Sequence, residues 1–183
     1  MASNLDFLFF RKADFANFRD ISANIPDEKM NAYIREAQTV ECRGFLGQQL
    51  WTAMQLDWNE LTTEFNELRF NELWFGTDYT NYAGVEIRFN GYVNAGIYFA
   101  YGRFLVQQQV NVSRFGVESV QNEISEDISN AQIRTKSRDA SQVAFSYQND
   151  AIAYLKSNQT LFPEYKFNES KTKKTSFNFF VLD

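Results

Sequence analysis

The chain has 183 residues and a net charge of −5, with no histidine and a single cysteine, Cys42. A chain of this length can bury a core without disulfides or a metal. The missing histidine removes the commonest general base and metal ligand, and with them the Ser–His and Cys–His nucleophile pairs. We therefore expect no catalytic site, metal or cofactor, and we interpret Cys42 as a small buried hydrophobe.

The acidic balance argues against a general nucleic-acid binder, which normally carries a basic face. The first residues lack the basic and apolar regions of a signal peptide, and no apolar run has the length of a membrane span, so no membrane partner is expected. Aromatic residues make up 17 % of the chain, with 19 Phe and 9 Tyr. They are expected to pack the core, and some of them to lie at protein–protein contacts.

The N-terminal residues 1–20 are rich in phenylalanine and predict an aromatic arm. Residues 5–10 fit a short strand or an extended arm, and residues 14–18 fit a turn or a short helix. The first helix start is at Pro26, followed by Asp27 and Glu28 at the positive end of the helix dipole. Apolar residues at helical spacing then predict a helix that runs to Gly44 or Gly47.

The middle of the chain predicts further helices. Apolar spacing between residues 58 and 73 fits one or two short helices, and residues 75–84 predict a loop because of their Gly, Asp and Asn content. Residues 85–110 predict the strongest helix. Its small residues, including Gly96 and Gly102, are unfavourable in a helix interior, so they predict close approach to another helix.

Residues 111–134 change character and predict a β-prone hairpin or an extended loop, of a length that is usually functional. A last long helix is predicted to begin at Thr135 or Ser137 and to end near residue 157. The fold class is therefore mainly α: a compact bundle of four to five helices, a small β-prone hairpin and an extended C-terminal tail. The domain boundaries are an arm at 1–20, a helical domain at 21–160 and a tail at 161–183.

The tail contains a short basic run, Lys171, Lys173 and Lys174, ahead of an apolar segment at 177–182. The lysines fit a nucleic-acid backbone, but in an acidic chain we favour a solvated run or an acidic partner. The apolar segment fits a strand added to a neighbouring subunit, or a strand paired with other β-prone segments of the same chain. Paired carboxylates occur along the chain, but they fit helix caps and solvated faces better than a glycosidase site.

The order of these features resembles head–tail connector (adaptor) proteins of tailed bacteriophages. The likeness is greatest to those of Bacteroidota phages, including crAss-like phages. The likeness covers roughly residues 20–160 and depends on the order of six features. The first three are the opening helix with Ile25-Pro26-Asp27-Glu28, the break at Phe45-Leu46-Gly47, and the loop with Tyr79, Tyr82 and Gly84. The last three are the small-residue helix at 91–105, the turn Arg114-Phe115-Gly116-Val117, and the helix that ends at Tyr154-Leu155.

The resemblance implies a non-enzymatic virion subunit that forms a ring, usually twelvefold, beneath the portal protein. Such a ring extends the DNA channel toward the tail or further ring proteins, and packaged DNA slides through it without sequence-specific binding. The protein is expected in the virion neck, and in the host cytoplasm during assembly. The resemblance places segment 111–134 at inter-subunit or channel-facing positions.

We expect subunit or partner contacts in segment 111–134 and in the tail. The candidate contact residues are Phe115, Val117, Val120, Ile124, Ile128, Lys171, Lys173, Lys174, Phe177, Phe179, Phe180 and Leu182. The alternative hypothesis is a stand-alone helical binding or regulatory protein, for example one that binds nucleic acid. It predicts a monomer or dimer, whereas the connector hypothesis predicts a defined larger oligomer.

Overall fold

The computed structural model describes residues 8–17, 25–107, 110–113, 116–119 and 130–167, with the backbone alone at 110–113, at 116–119 and at residue 130. Six α-helices occur in these residues: α1 Asp27–Ala37, α2 Arg43–Leu46, α3 Gln48–Asp57, α4 Leu68–Phe75, α5 Val93–Gln107 and α6 Asn130–Ser157. A π-helical turn spans Gln38–Cys42, and 3-10 helices span Lys12–Asn17 and Gln159–Leu161. The fold is mainly α, as predicted.

The first helical stretch begins and ends where the sequence indicates. The Pro26 carbonyl accepts the first helical bonds, from the N–H groups of Lys29 and Met30. Helical backbone then continues through α1, the π-helical turn and α2 without a break. It ends at Gly47, whose φ of 80° lies in the left-handed region that glycine adopts without strain.

Three antiparallel hairpins join the helices: β1 Trp58–Asn59 with β2 Glu64–Phe65, β3 Thr77–Thr80 with β4 Glu86–Phe89, and β5 Val110–Ser113 with β6 Gly116–Ser119. The β5–β6 pair confirms the predicted hairpin. The other two correct the sequence interpretation, which had short helices at 58–73, a loop at 75–84 and a helix from residue 85. Strands of two to four residues carry too few apolar positions to reveal alternation.

The two long helices pack against each other and bury the small residues of α5. A Cβ on Gly102 would lie 3.4 Å from the Ser137 carbonyl oxygen, and the Ser137 hydroxyl donates to the Gly102 carbonyl at 3.0 Å. The predicted close helix approach is therefore confirmed at Gly102. A Cβ on Gly96 would instead lie 2.9 Å from the ring of Phe10. Helix α6 begins at Asn130, earlier than predicted, because its first turns are polar and lack the apolar stripe.

Aromatic side chains from both ends of the described chain belong to the core. Phe9, Phe10 and Phe15 are buried, as are Phe162 and Tyr165. The Phe9 ring packs at 4.8 Å against Trp51, and its backbone N–H donates to the buried Gln38 side chain at 2.7 Å. The core therefore extends beyond both predicted limits of the helical domain, at 21 and 160.

None of the helices in the described part of the chain combines the length and the apolar character that crossing a membrane requires.

Candidate functional site

We looked in the described structure for metal-binding clusters, a reactive thiol and acid–base pairs. No cluster of three or more Cys, Asp or Glu side chains there is arranged to hold a metal ion. Cys42 is fully buried, and burial together with Glu41 raises the pKa of its thiol, so it stays protonated at neutral pH. A shallow open depression lined by Gln48, Thr52 and Pro163 includes one carboxylate, Glu164. That carboxylate is bound by an arginine, so the depression offers no acid–base pair.

The clearest exposed feature is the loop between β3 and β4, residues 81–85, which we call the Tyr82 loop. The Asn81 side-chain oxygen accepts the N–H groups of Ala83 and Val85 at 2.9 and 3.0 Å. The backbone closes the same turn, with the Asn81 N–H bonded to the Val85 carbonyl at 2.9 Å. The loop is thus held in one conformation, and it displays Tyr82 with 74 % of its surface exposed, next to an exposed Val85.

A second exposed apolar area surrounds the β1–β2 hairpin, and we call residues 56–68 the hairpin surface. Leu56, Leu61 and Leu68 are 84 %, 96 % and 71 % exposed. The hairpin is closed at its base, where the Asp57 carboxylate accepts the Glu67 N–H at 2.8 Å. Trp58 and Phe65 face inward and contact the Phe9 ring at 5.2 and 5.3 Å. Its inner face is therefore anchored in the core while the leucines stay in water.

A third feature is the exposed first part of α6, which carries basic residues. Arg134, Lys136 and Arg138 are all exposed, and Arg134 and Arg138 share one helix face at a spacing of four residues. The partner helix α5 is fixed to α1 and the π-helical turn by Arg103, which donates to Glu41 at 2.6 Å and to Glu36 at 3.0 Å. Burial lowers the pKa of Arg103, but these two carboxylates outweigh it and raise the pKa overall.

Arg69 fixes the end of the described chain to the start of α4. Its guanidinium donates to both carboxylate oxygens of Glu164 at 2.9 and 3.0 Å and to the Leu161 carbonyl at 2.7 Å. This bidentate contact holds the pKa of the Glu164 carboxyl below its ordinary value of 4.5. Ionised Glu164 therefore stabilises the fold above pH 4.5, and that contribution is lost as pH falls through the depressed pKa.

We expect Glu164→Gln to lower the melting temperature by more at pH 7 than at pH 3, because the contribution of ionised Glu164 declines as pH falls below the ordinary value of 4.5. The effect is small, since both partners are partly exposed to water. Melting followed by circular dichroism at both pH values measures it. Glu86→Gln is the matched control, because Glu86 is exposed and no described cation pairs with it. An equal difference at both pH values would contradict the role of Glu164.

Most residues predicted as contacts lie outside the described part of the chain. This holds for Phe115, Val120, Ile124 and Ile128, and for the tail residues Lys171, Lys173, Lys174, Phe177, Phe179, Phe180 and Leu182. Val117 lies in β6, where the structure describes the backbone alone. The predictions for these residues therefore stay predictions.

One family model matches this chain, a family of unknown function designated DUF6712, over residues 46–175. The chain belongs to the DUF6712 family. The match to DUF6712 includes the hairpin surface, the Tyr82 loop, both long helices and Glu164. No curated protein and no solved structure matches the chain.

The sequence did not predict two exposed apolar surfaces of this DUF6712 protein, the Tyr82 loop and the hairpin surface. Tyr82 was placed in a loop, but nothing in the sequence reasoning indicated that the loop is pinned by Asn81. The spacing of Asn81 and Gly84 is a turn pattern that, taken with the flanking β-prone residues, would have indicated a hairpin. Leu61 belongs to the apolar residues at helical spacing in 58–73 that fitted one or two short helices, and the structure places it at the tip of the hairpin surface.

Proposed function

We propose that this chain is a non-enzymatic virion protein of a tailed bacteriophage, a subunit of a head–tail connector ring. The observation that carries the proposal is the Tyr82 loop, which holds a tyrosine and a valine in water in one fixed conformation. A rigid, exposed aromatic side chain is typical of the anchor residue of a protein–protein contact. The order of helices that resembles connector proteins also supports the proposal.

The fold gives such a subunit parts with separate roles. The aromatic core keeps the body rigid, and the α5–α6 pair carries the β5–β6 hairpin at one end. In the proposed ring, the hairpin and segment 111–134 lie at inter-subunit or channel-facing positions. The ring docks beneath the portal protein and meets the tail or a further ring on its other side. The acidic chain suits a channel through which DNA slides.

The proposal predicts that assembly depends on the ring of Tyr82. Tyr82→Ser removes an exposed aromatic anchor, so we expect loss of the oligomer, with weakening of at least about tenfold. Tyr82→Phe is the matched control and is expected to assemble, because it keeps the aromatic ring. Light scattering after size-exclusion chromatography, with the portal protein of the same genome present, measures the oligomer, and negative-stain microscopy shows whether it is a ring.

One outcome would contradict the connector ring, and a second would contradict the role of the Tyr82 loop in it. A full-length chain that stays monomeric with its portal protein would argue against a connector ring. Normal assembly by Tyr82→Ser would leave the ring possible but remove the Tyr82 loop from its contacts. Portal, capsid and terminase genes beside this gene would be an independent observation in favour of the virion role.

The exposed basic residues of α6 favour the second candidate, a stand-alone helical binding or regulatory protein that contacts nucleic acid. Arg134, Lys136 and Arg138 lie within five residues of exposed helix. Phosphate contacts would make DNA affinity fall steeply with salt, and each neutralised basic residue would reduce that slope by roughly one. A monomer with such salt-dependent affinity, weakened by Arg134→Gln and Arg138→Gln, would favour this candidate over the ring.

A further inference from the structure

The hairpin surface is unusual for a free protein surface because three leucines are exposed within thirteen residues. Leu56 and Leu68 lie on either side of the hairpin base, and Leu61 lies at its tip. Leu161 is also exposed, and Arg69 holds its segment near the start of α4 by donating to the Leu161 carbonyl at 2.7 Å. Grouped apolar side chains of this kind mark interaction sites more often than they remain in water.

The same surface is negatively charged. Asp57, Glu60, Glu64 and Glu67 lie in or beside the hairpin. Arg69 is the nearby cation, and its guanidinium is already shared between Glu67 and Glu164. No described cation pairs with Glu60 or Glu64, both of which are exposed. An occupant that matches this surface is therefore apolar and positively charged.

The chain's own C-terminal segment has this composition. Lys171, Lys173 and Lys174 precede the apolar run Phe177-Asn178-Phe179-Phe180-Val181-Leu182. The described chain ends at Phe167, three residues beyond Glu164, whose carboxylate is bonded to Arg69, next to Leu68. Lys171 lies four positions beyond Phe167 and Lys174 lies seven, and seven extended residues span about 23 Å, so the chain has the length for the lysines to approach the carboxylates of the hairpin.

We propose that the hairpin surface is the docking site of segment 171–182 of the same chain. The lysines pair with Glu60 and Glu64, and the phenylalanines cover the three leucines. A short tether favours the segment of the same chain over that of a second copy, because it keeps the effective concentration near the millimolar range. Docking of this kind concerns the isolated subunit and does not rest on the proposed function.

The test uses disulfide formation in the full chain carrying Thr62→Cys and Thr172→Cys. These two positions lie among the carboxylates and the lysines, and neither substitution removes a charge. Cys42 does not compete, because it is fully buried. Under mild oxidation we expect a disulfide within one chain, at a rate that does not change when the protein is diluted, and that falls in high salt as the charges are screened.

Removing the apolar contacts shows whether segment 171–182 docks on the hairpin surface or only lies near it. Adding Leu61→Ser and Leu68→Ser is expected to slow disulfide formation about tenfold, because the phenylalanines of the segment then lose the apolar contact with two leucines. The matched control adds Tyr82→Ser and Val85→Ser, which change an equally exposed apolar loop and are expected to leave the rate unaltered.

The proposal is overturned if the leucine substitutions leave the rate unchanged, since the segment would then be near the surface without docking on it. It is also overturned by disulfide-linked dimers whose formation rises with protein concentration. In that case the occupant of the surface is the segment of a second copy.

Discussion

Replacement of Gly91 by alanine is expected to lower the free energy of unfolding by at least about 3 kcal/mol, through backbone strain and overlap together. Gly91 has a φ of 90°, and a Cβ there would lie 2.4 Å from the Phe75 carbonyl carbon and 2.5 Å from the Trp74 oxygen. Both are backbone atoms, which cannot swing away as the end of a side chain can. The chain after α4 would have to separate from the chain before α5.

Gly76 lies opposite Gly91, where the chain after α4 meets the chain before α5, and Gly76→Ala is expected to be similarly destabilising. Its φ is 103°, and its Cβ would lie 2.4 Å from the Phe89 carbonyl oxygen. The Tyr92 N–H also donates to the Leu73 carbonyl at 2.9 Å at this crossing. The two glycines thus let α4 and α5 meet at the base of the β3–β4 hairpin.

Two other glycines provide matched controls for Gly91→Ala. Gly84 has a φ of 75° but no atom within 4 Å of a built Cβ, so Gly84→Ala is expected to cost only about 1 kcal/mol of strain. Gly44 lies exposed in α2 with open space around it, so Gly44→Ala is expected to stabilise by up to about 1 kcal/mol. Urea unfolding followed by circular dichroism measures all three. Equal costs for Gly91→Ala and Gly84→Ala would contradict the role of overlap.

Phe10→Ala is expected to lower the free energy of unfolding by about 3–5 kcal/mol, the usual cost of removing a fully buried aromatic ring. Phe10 is 2 % exposed, and its ring lies 6.1 Å from that of Phe15 and 6.4 Å from that of Trp74. Urea unfolding measures the loss. Tyr82→Ala is the control, because Tyr82 is an exposed aromatic residue whose truncation is expected to change stability by less than about 0.5 kcal/mol.

A double mutant makes the Phe10 prediction sharper. Gly96→Ala alone forces its Cβ against the Phe10 ring, at 2.9 Å, but the clash disappears when Phe10 is alanine. The combined variant is therefore expected to be less destabilised than the sum of the two single variants. Simple additivity, or an effect of Phe10→Ala as small as that of Tyr82→Ala, would show that Phe10 is not part of the core as described.

The sequence predicts the helices where one local rule decides the outcome. Pro26 and Gly47 bound the first helical stretch, because proline suits a helix start and glycine permits the left-handed end. Gly102 predicts close approach of a second helix, because glycine destabilises a helix interior and is usually found there where two backbones lie close together. The hairpins were harder to predict. The β1–β2 hairpin depends on Asp57, which binds the Glu67 N–H ten residues further along the chain. The β3–β4 hairpin depends on the backbone angles at Gly76 and Gly91, and only its Asn81 turn is local.

The candidate surfaces could be predicted less well than the fold. Leu61 and Trp58 are both apolar residues near helical spacing, yet the structure exposes one and turns the other toward Phe9. The difference arises because Trp58 lies in β1, against the core, whereas Leu61 lies in the turn between β1 and β2, and apolar spacing does not show where that turn falls. Exposure of Tyr82 likewise depends on the turn that Asn81 closes.

The order in which the core residues are synthesised bears on how the protein folds in the cell. Phe9 and Phe10 are synthesised before the Trp51 and Trp74 rings that pack against them. Phe162 packs on Tyr154, and Tyr165 packs on Phe45, so these contacts form only after residue 165 has been synthesised. Until then the nascent chain carries uncovered aromatic rings, which favours binding by chaperones. Its core closes only after residue 165 has emerged.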